Sequence, residues 1–316
     1  MIQKYIDLIV RSGTLIPERS SSIVRKNKVV YYRLIHIWEG AKSHQKKKQI
    51  SKNCFTLKII IMPCQLCLVD KSLIRRSHIV PNFLYKSMFS ISRKLISVNI
   101  NNPDEKIKYM QSGYTEGDLL CADCDNRILG SLERYANNHI YCEPSAKSGV
   151  SKNAYLGDGE IIPYVRYENL DYTKTKLFFL SILWRCHISK NQTFSMVDLG
   201  IHAEVLRKMI IENDPGKEDE YEVVLVKIDT DGSRPSKSVI EPRKIQTDGN
   251  TFYIFHINEI IYHFNISKYN KISLFTKGAI RKDNILDIAT LSGKWARAHF
   301  DAFMGQKLLM KSNIRH

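Results

Sequence analysis

Apolar residues at Ile128, Leu129, Leu132, Tyr135 and Ala136 recur at spacings of three and four among Asp, Asn, Arg and Glu. That spacing predicts an amphipathic helix starting near Asp123. The stretch from Lys174 to Ile188 is apolar on nearly every side, with Leu177, Phe178, Leu180, Ile182, Leu183 and Trp184, and so predicts a buried helix. Val205 to Ile211 predicts another, stopped by Asn213-Asp214-Pro215-Gly216. Beyond it the period changes, and Tyr221 to Ile228, Thr251 to His256 and Glu259 to Ile266 read as strands. Asp229-Thr230-Asp231-Gly232 and Asp248-Gly249 supply the turn chemistry between them. Helices followed by an antiparallel sheet make this half of the chain α+β.

The earlier part is less regular. Leu73 to Tyr85 is rich in Ile, Val, Leu and aromatics, which suits a short strand leading into a hairpin or a helical turn after Pro81. Asn99 to Asp104 reads as a polar loop, and residues 146–170, with Gly149, Gly157, Gly159 and Pro163, as a linker carrying a short strand. The pattern divides the chain into a leader, 1–61, a cysteine-bearing module, 62–145, and an α+β domain, 146–316, whose role the sequence does not reveal.

Charge sharpens the first boundary. The net charge is +16 over 316 residues, but residues 1–61 hold 13 Lys and Arg against 3 Asp and Glu, so the other 255 residues carry only +6. The leader has no clean period and runs through Lys46-Lys47-Lys48 into Met62-Pro63-Cys64. Two readings stand: upstream sequence ahead of a start at Met62, or a native segment that is a basic nucleic-acid-binding arm or a small added element. With 43% hydrophobic residues the chain can bury a substantial core. The longest apolar run, Leu177 to Trp184, falls far short of the roughly eighteen residues a membrane span needs.

Seven cysteines include two pairs, Cys64-x2-Cys67 and Cys121-x2-Cys124. Each such turn aims two sulfurs at one ion, and four thiolates close a tetrahedral shell, so the expected metal is structural zinc. The 53 residues between Cys67 and Cys121 add about 1 kcal/mol of loop closure, small beside a zinc binding energy of roughly 10–16 kcal/mol. Disulfides fit less well. Cys54, Cys142 and Cys186 leave an odd remainder, and with no signal peptide expected, a reducing cytoplasm is the expected compartment.

Between the pairs lies Ser77-His78-Ile79-Val80-Pro81, and the second pair continues as Leu119-Leu120-Cys121-x2-Cys124-Asp125. This arrangement resembles the zinc-ribbon form of the HNH, or His-Me finger, endonucleases over about Met62 to Tyr141. More weakly, Lys176 to Ser189 looks like the segment that follows the finger in bacterial proteins of this sort. The resemblance implies a ββα-metal fold and metal-dependent hydrolysis of phosphodiester bonds in DNA, with RNA as a further substrate class. It matches His78 to the family's general base, a task suited to a neutral imidazole. It places Asp125 where the family's last histidine stands, as a ligand for a catalytic magnesium or manganese ion. Arg75 and Arg76, just before the histidine, are placed to contact phosphate.

The chain departs from the family pattern. Ser77 stands where an aspartate commonly binds metal, and no Asn occurs in Tyr114-Thr115-Glu116-Gly117-Asp118, leaving Glu116 or Asp118 as substitutes. Asp125 also reads as a helix-opening carboxylate favoured by the dipole. Glu133, about 80° from Asp125 around an α-helix, reads first as a solvated carboxylate beside Arg134. His187 and Trp184 read as core, and Asp229 and Asp231 as a turn. The expected function is an endonuclease. The alternative is a non-catalytic zinc module of the same fold that binds nucleic acid or protein.

Overall fold

The computed structural model describes residues 62–89, 95–97, 108–142, 149–157, 160–229, 238–247, 249–266, 279–293 and 296–297. The leader, the loop at Asn99 to Asp104 and the turn at Thr230 to Gly232 lie outside them. All described residues fall in one compact unit.

The cysteine module begins with β1 (Ser77–His78), followed after Pro81 by a 3-10 turn, Asn82–Met88. Two short strands follow, β2 (Leu95–Ser97) and β3 (Lys108–Met110), antiparallel to each other. Then β4 (Thr115–Glu116) returns beside β1, pairing Ser77 with Glu116 and His78 with Thr115. The close approach depends on Gly117, because a Cβ there would lie 2.7 Å from the Arg75 carbonyl oxygen. The expected helix is present, but its first seven residues, Asp123–Leu129, are wound in wide π turns, with the Gly130 N–H reaching back to the Asp125 carbonyl. It continues as α1 (Gly130–His139).

The segment read as a linker with a short strand is instead a hairpin of two eight-residue strands, β5 (Val150–Gly157) and β6 (Glu160–Tyr167), paired along their whole length. Pro163 obscures it in the sequence. It is tolerated because pairing to the next strand ends at Tyr164, leaving Pro163 with β5 alone as neighbour. Helix α2 (Tyr172–Ile188) follows, its first turn capped by Asp171 accepting from the Lys174 N–H at 3.0 Å. Helix α3 (His202–Glu212) ends on Asn213, whose left-handed backbone (φ 56°) closes the last turn.

Four further strands are β7 (Val223–Ile228), β8 (Ser238–Thr247), β9 (Asn250–Asn258) and β10 (Ile260–Asn265); β11 (Leu286–Leu291) completes a seven-stranded sheet in the order β5-β6-β11-β7-β10-β9-β8. The expectation of an antiparallel sheet needs one correction: β11 runs parallel to β7 while pairing antiparallel with β6. The last strand inserts between the hairpin and the strands that follow the helices, so it meets neighbours running in opposite directions. Phe252 to Ile257 is buried without alternation because both faces of the sheet are covered.

Helix α2 lies against one of those faces. Phe179 packs on Tyr262 of β10 (ring centroids 5.7 Å), while Phe178 stacks on Phe83 of the cysteine module at 5.9 Å. Tyr141 and Tyr262 share a hydroxyl hydrogen bond of 2.7 Å. One hydrophobic core therefore runs from Cys64 and Tyr85 through α2 to Tyr253 and Phe255.

Candidate metal centre and the His78 site

Local backbone bonds build the first knuckle. The Leu68 N–H donates to the Cys64 carbonyl at 2.8 Å and the Cys64 N–H to Val69 at 3.1 Å, a turn closed by Leu68 at φ 61°. The second knuckle opens the helix, with the Asp125 N–H donating to Cys121 at 3.0 Å. Gln65 donates its N–H to Leu119 and Ile74 to Leu120, both at 2.9 Å, and the Cys121 N–H donates to the Cys64 sulfur at 3.3 Å. From α3, Arg207 donates to the Leu66 carbonyl at 2.6 Å, bracing the first knuckle from outside the module.

The result is four sulfurs, of Cys64, Cys67, Cys121 and Cys124, all within 4.8 Å of one another and none in a disulfide. Cys67 and Cys121 stand 4.0 Å apart. A tetrahedral ion with sulfurs at about 2.3 Å needs them about 3.8 Å from each other, so the cluster is close enough to hold a metal ion. Burial and the neighbouring sulfurs push the Cys124 thiol well above its ordinary value.

His78 ends β1, half-buried, with the next N–H, of Ile79, donating to Tyr114 at 3.0 Å. The buried Ser77 hydroxyl donates to Asp125 Oδ1 at 2.5 Å, tying the strand to the start of the helix. Glu133 corrects the reading of a solvated carboxylate. Its Oε1 accepts from Arg185 Nη1 at 2.6 Å, and the same nitrogen donates to the His78 carbonyl at 2.9 Å. Arg185 is on α2, its side chain 1% exposed against 25% for Glu133. Burial lowers the pKa of the His78 imidazole, Glu133 and Asp125 raise it, and Arg185 and Arg76 lower it, for a net downward shift. The downward shift favours the uncharged ring at neutral pH.

Glu116 does not face a ligand role. Its carboxylate accepts from the Ser189 hydroxyl at 2.6 Å and from the Lys190 N–H at 3.0 and 3.1 Å, fastening the end of α2 to β4. Asp118 is exposed, in a left-handed turn at φ 59°. Arg75 and Arg76 are both exposed, and Arg76 donates to the Ser112 hydroxyl at 3.2 Å. His187 accepts at Nδ1 from the Leu199 N–H at 3.2 Å, beside the fully buried Cys186. Among the described residues, the four cysteines are the one group of three or more His, Cys, Asp or Glu residues gathered closely enough for a metal ion; His78, Asp125 and Glu133 are not drawn together in that way.

Arg185 is what the sequence reading missed. The available signal was a guanidinium inside an otherwise apolar helix, because a fully buried arginine requires paired partners. No family profile, no curated protein and no solved structure matches the chain. No helix among the described residues is long and apolar enough to cross a membrane.

Proposed function

We propose that this chain is a metal-dependent endonuclease of the HNH type, acting on DNA in the cytoplasm, with structural zinc held by Cys64, Cys67, Cys121 and Cys124. An all-thiolate tetrahedral set favours zinc over the oxygen-seeking cations. The observation that supports the catalytic reading most is the setting of His78: a neutral imidazole on the last residue of a short strand, tied through Ser77 to Asp125 and through Arg185 to Glu133.

In this reading His78 takes a proton from the attacking water, and the 3′ oxygen leaves the phosphorus as the new P–O bond forms. Its neutral state leaves a ring nitrogen able to accept at pH 7. Asp125 would hold magnesium or manganese with the oxygen that Ser77 does not engage, and the ion when bound would supply charge neutralisation at the scissile phosphate. Magnesium sites commonly use one or two carboxylates together with substrate phosphate, so a gathered protein cage is not required. Arg75 and Arg76 would contact flanking phosphates from their exposed positions.

The second reading, a non-catalytic zinc module that binds nucleic acid or protein, draws on Ser77 replacing a metal-binding aspartate and on the lack of a second ligand cluster among the described residues. Nicking of supercoiled plasmid by the purified chain with magnesium or manganese separates the two. Nicking that disappears in His78→Ala supports the enzyme, and no cleavage of any DNA or RNA tested supports the binding module.

A further inference from the structure

We propose that Arg185 of α2 is a positioning residue for His78, fixing the strand that carries the imidazole and the Glu133 carboxylate beside it through one buried guanidinium. This proposal rests on the nuclease reading of His78.

Arg185 is buried and its hydrogen bonds all point inward among the described residues. Its Nη1 donates both to the His78 carbonyl at 2.9 Å and to Glu133 Oε1 at 2.6 Å. On its other side Nε donates to the Ser181 carbonyl at 3.3 Å and Nη2 to the Ser181 hydroxyl at 3.4 Å, one helical turn back, so the fork is itself held. Ser181 is buried and donates to the Phe178 carbonyl at 2.6 Å, which anchors the chain of bonds to α2. The guanidinium reaches a strand more than a hundred residues earlier. β1 is only two residues long with a two-pair ladder to β4, so its own hydrogen bonds hold His78 weakly. A planar fork suits this work because it makes directed bonds from several nitrogens, which the single ammonium of lysine cannot reproduce. The charged groups facing the imidazole are Glu133 and Asp125 on the helix, Arg185 on α2, and Arg76 just before β1.

The test uses the full chain as wild type, Arg185→Lys, Arg185→Met and Glu133→Gln. Plasmid nicking at saturating magnesium gives kcat and KM; metal content, melting temperature and the NMR titration midpoint of the His78 imidazole are measured on the same samples. Arg185→Lys is expected to fold and keep its metal, with kcat reduced roughly 100-fold, the usual effect of misplacing a reacting group by an ångström, an unchanged KM and a displaced midpoint. Glu133→Gln is expected to lower kcat with little change in melting. A purely structural arginine would lower melting temperature and yield while leaving kcat per metal-loaded molecule and the midpoint where they are, and that result overturns the proposal. If Arg185→Met does not fold, Arg185→Lys and Glu133→Gln decide. If wild type cleaves nothing, the nuclease reading fails by itself. The midpoint then decides about Arg185: displaced in Arg185→Lys it supports positioning, unmoved it overturns it.

Discussion

The four-cysteine cluster and the His78 site lie in the same module but are assembled differently. The sulfurs are brought together chiefly by backbone bonds within and between two tight turns, with Arg207 as an outside brace. His78 sits on a two-residue strand, and its surroundings are completed by Arg185 from a helix in the middle of the molecule. A local site of the first kind can be read from residue spacing. One of the second kind depends on tertiary contacts that no short pattern encodes.

The strongest way to break this comparison is to remove a sulfur. Cys121→Ser is expected to lose most bound zinc and to unfold the module, because metal binding of roughly 10–16 kcal/mol is folding energy for such a site. Elemental analysis and thermal melting check this, and an unchanged metal content and melt would refute the cluster as a metal centre. The next effect is on rate. On the proposed nuclease reading, His78→Ala is expected to slow nicking by roughly 10²–10⁴-fold, the usual value of a positioned base, while metal content and melting temperature stay at wild type. A variant that loses zinc as well would mean that the two sites are not separable.

A pH series sharpens the contrast from the sheet side. Burial pushes the His263 imidazole on β10 down to about 3, against about 6.5 in the unfolded chain. Above pH 6.5 both states are neutral and the full stability is present. As pH falls below that, the unfolded state takes up a proton that the folded state refuses, so stability drops by about 1.4 kcal/mol per pH unit until the folded value is reached. The His78 shift acts in the same direction. Chemical denaturation at pH 8 and pH 5 should therefore differ by roughly 2 kcal/mol, and His263→Phe should flatten the slope. Acid also releases metal from thiolates, so zinc content at each pH separates the two causes. The smallest expected effect is at Glu116. Glu116→Gln keeps a shape similar to the carboxylate that the end of α2 donates to but removes its charge, and it should cost about 1–2 kcal/mol in denaturation. No loss would show that this contact does not secure α2 to the module.

The elements most legible in advance were those with a single dominant cue. Phe178 through Trp184 announced a buried helix because no polar face interrupts them, and Asn213 marked the end of α3 by favouring a left-handed backbone. Strands β8 and β11 were missed because charge and proline interrupt Glu241-Pro242-Arg243-Lys244 and because the short apolar run of β11 finds its partners across long stretches of chain. The 80° separation assumed between Asp125 and Glu133 treated every residue as α-helical. The wide turns over Asp123–Leu129 rotate less per residue, so that figure does not describe this helix. Arg185 and Glu133 were obscure for a related reason. Each is an ordinary charged residue on its own helix, and only the packing of α2 against the module makes them a pair.

The wiring of Arg185 has a consequence for how this protein can be cut and recombined. The stretch bearing both cysteine pairs and His78 looks like a portable cassette. Yet excising it would leave behind the guanidinium that holds the His78 carbonyl, the hydroxyl and amide that engage Glu116, and the Phe178 ring that covers Phe83. A unit that keeps these contacts therefore runs past the motif, at least as far as Lys190. A chimera built by joining at the motif's edges would inherit the signature without the scaffold that gives it shape.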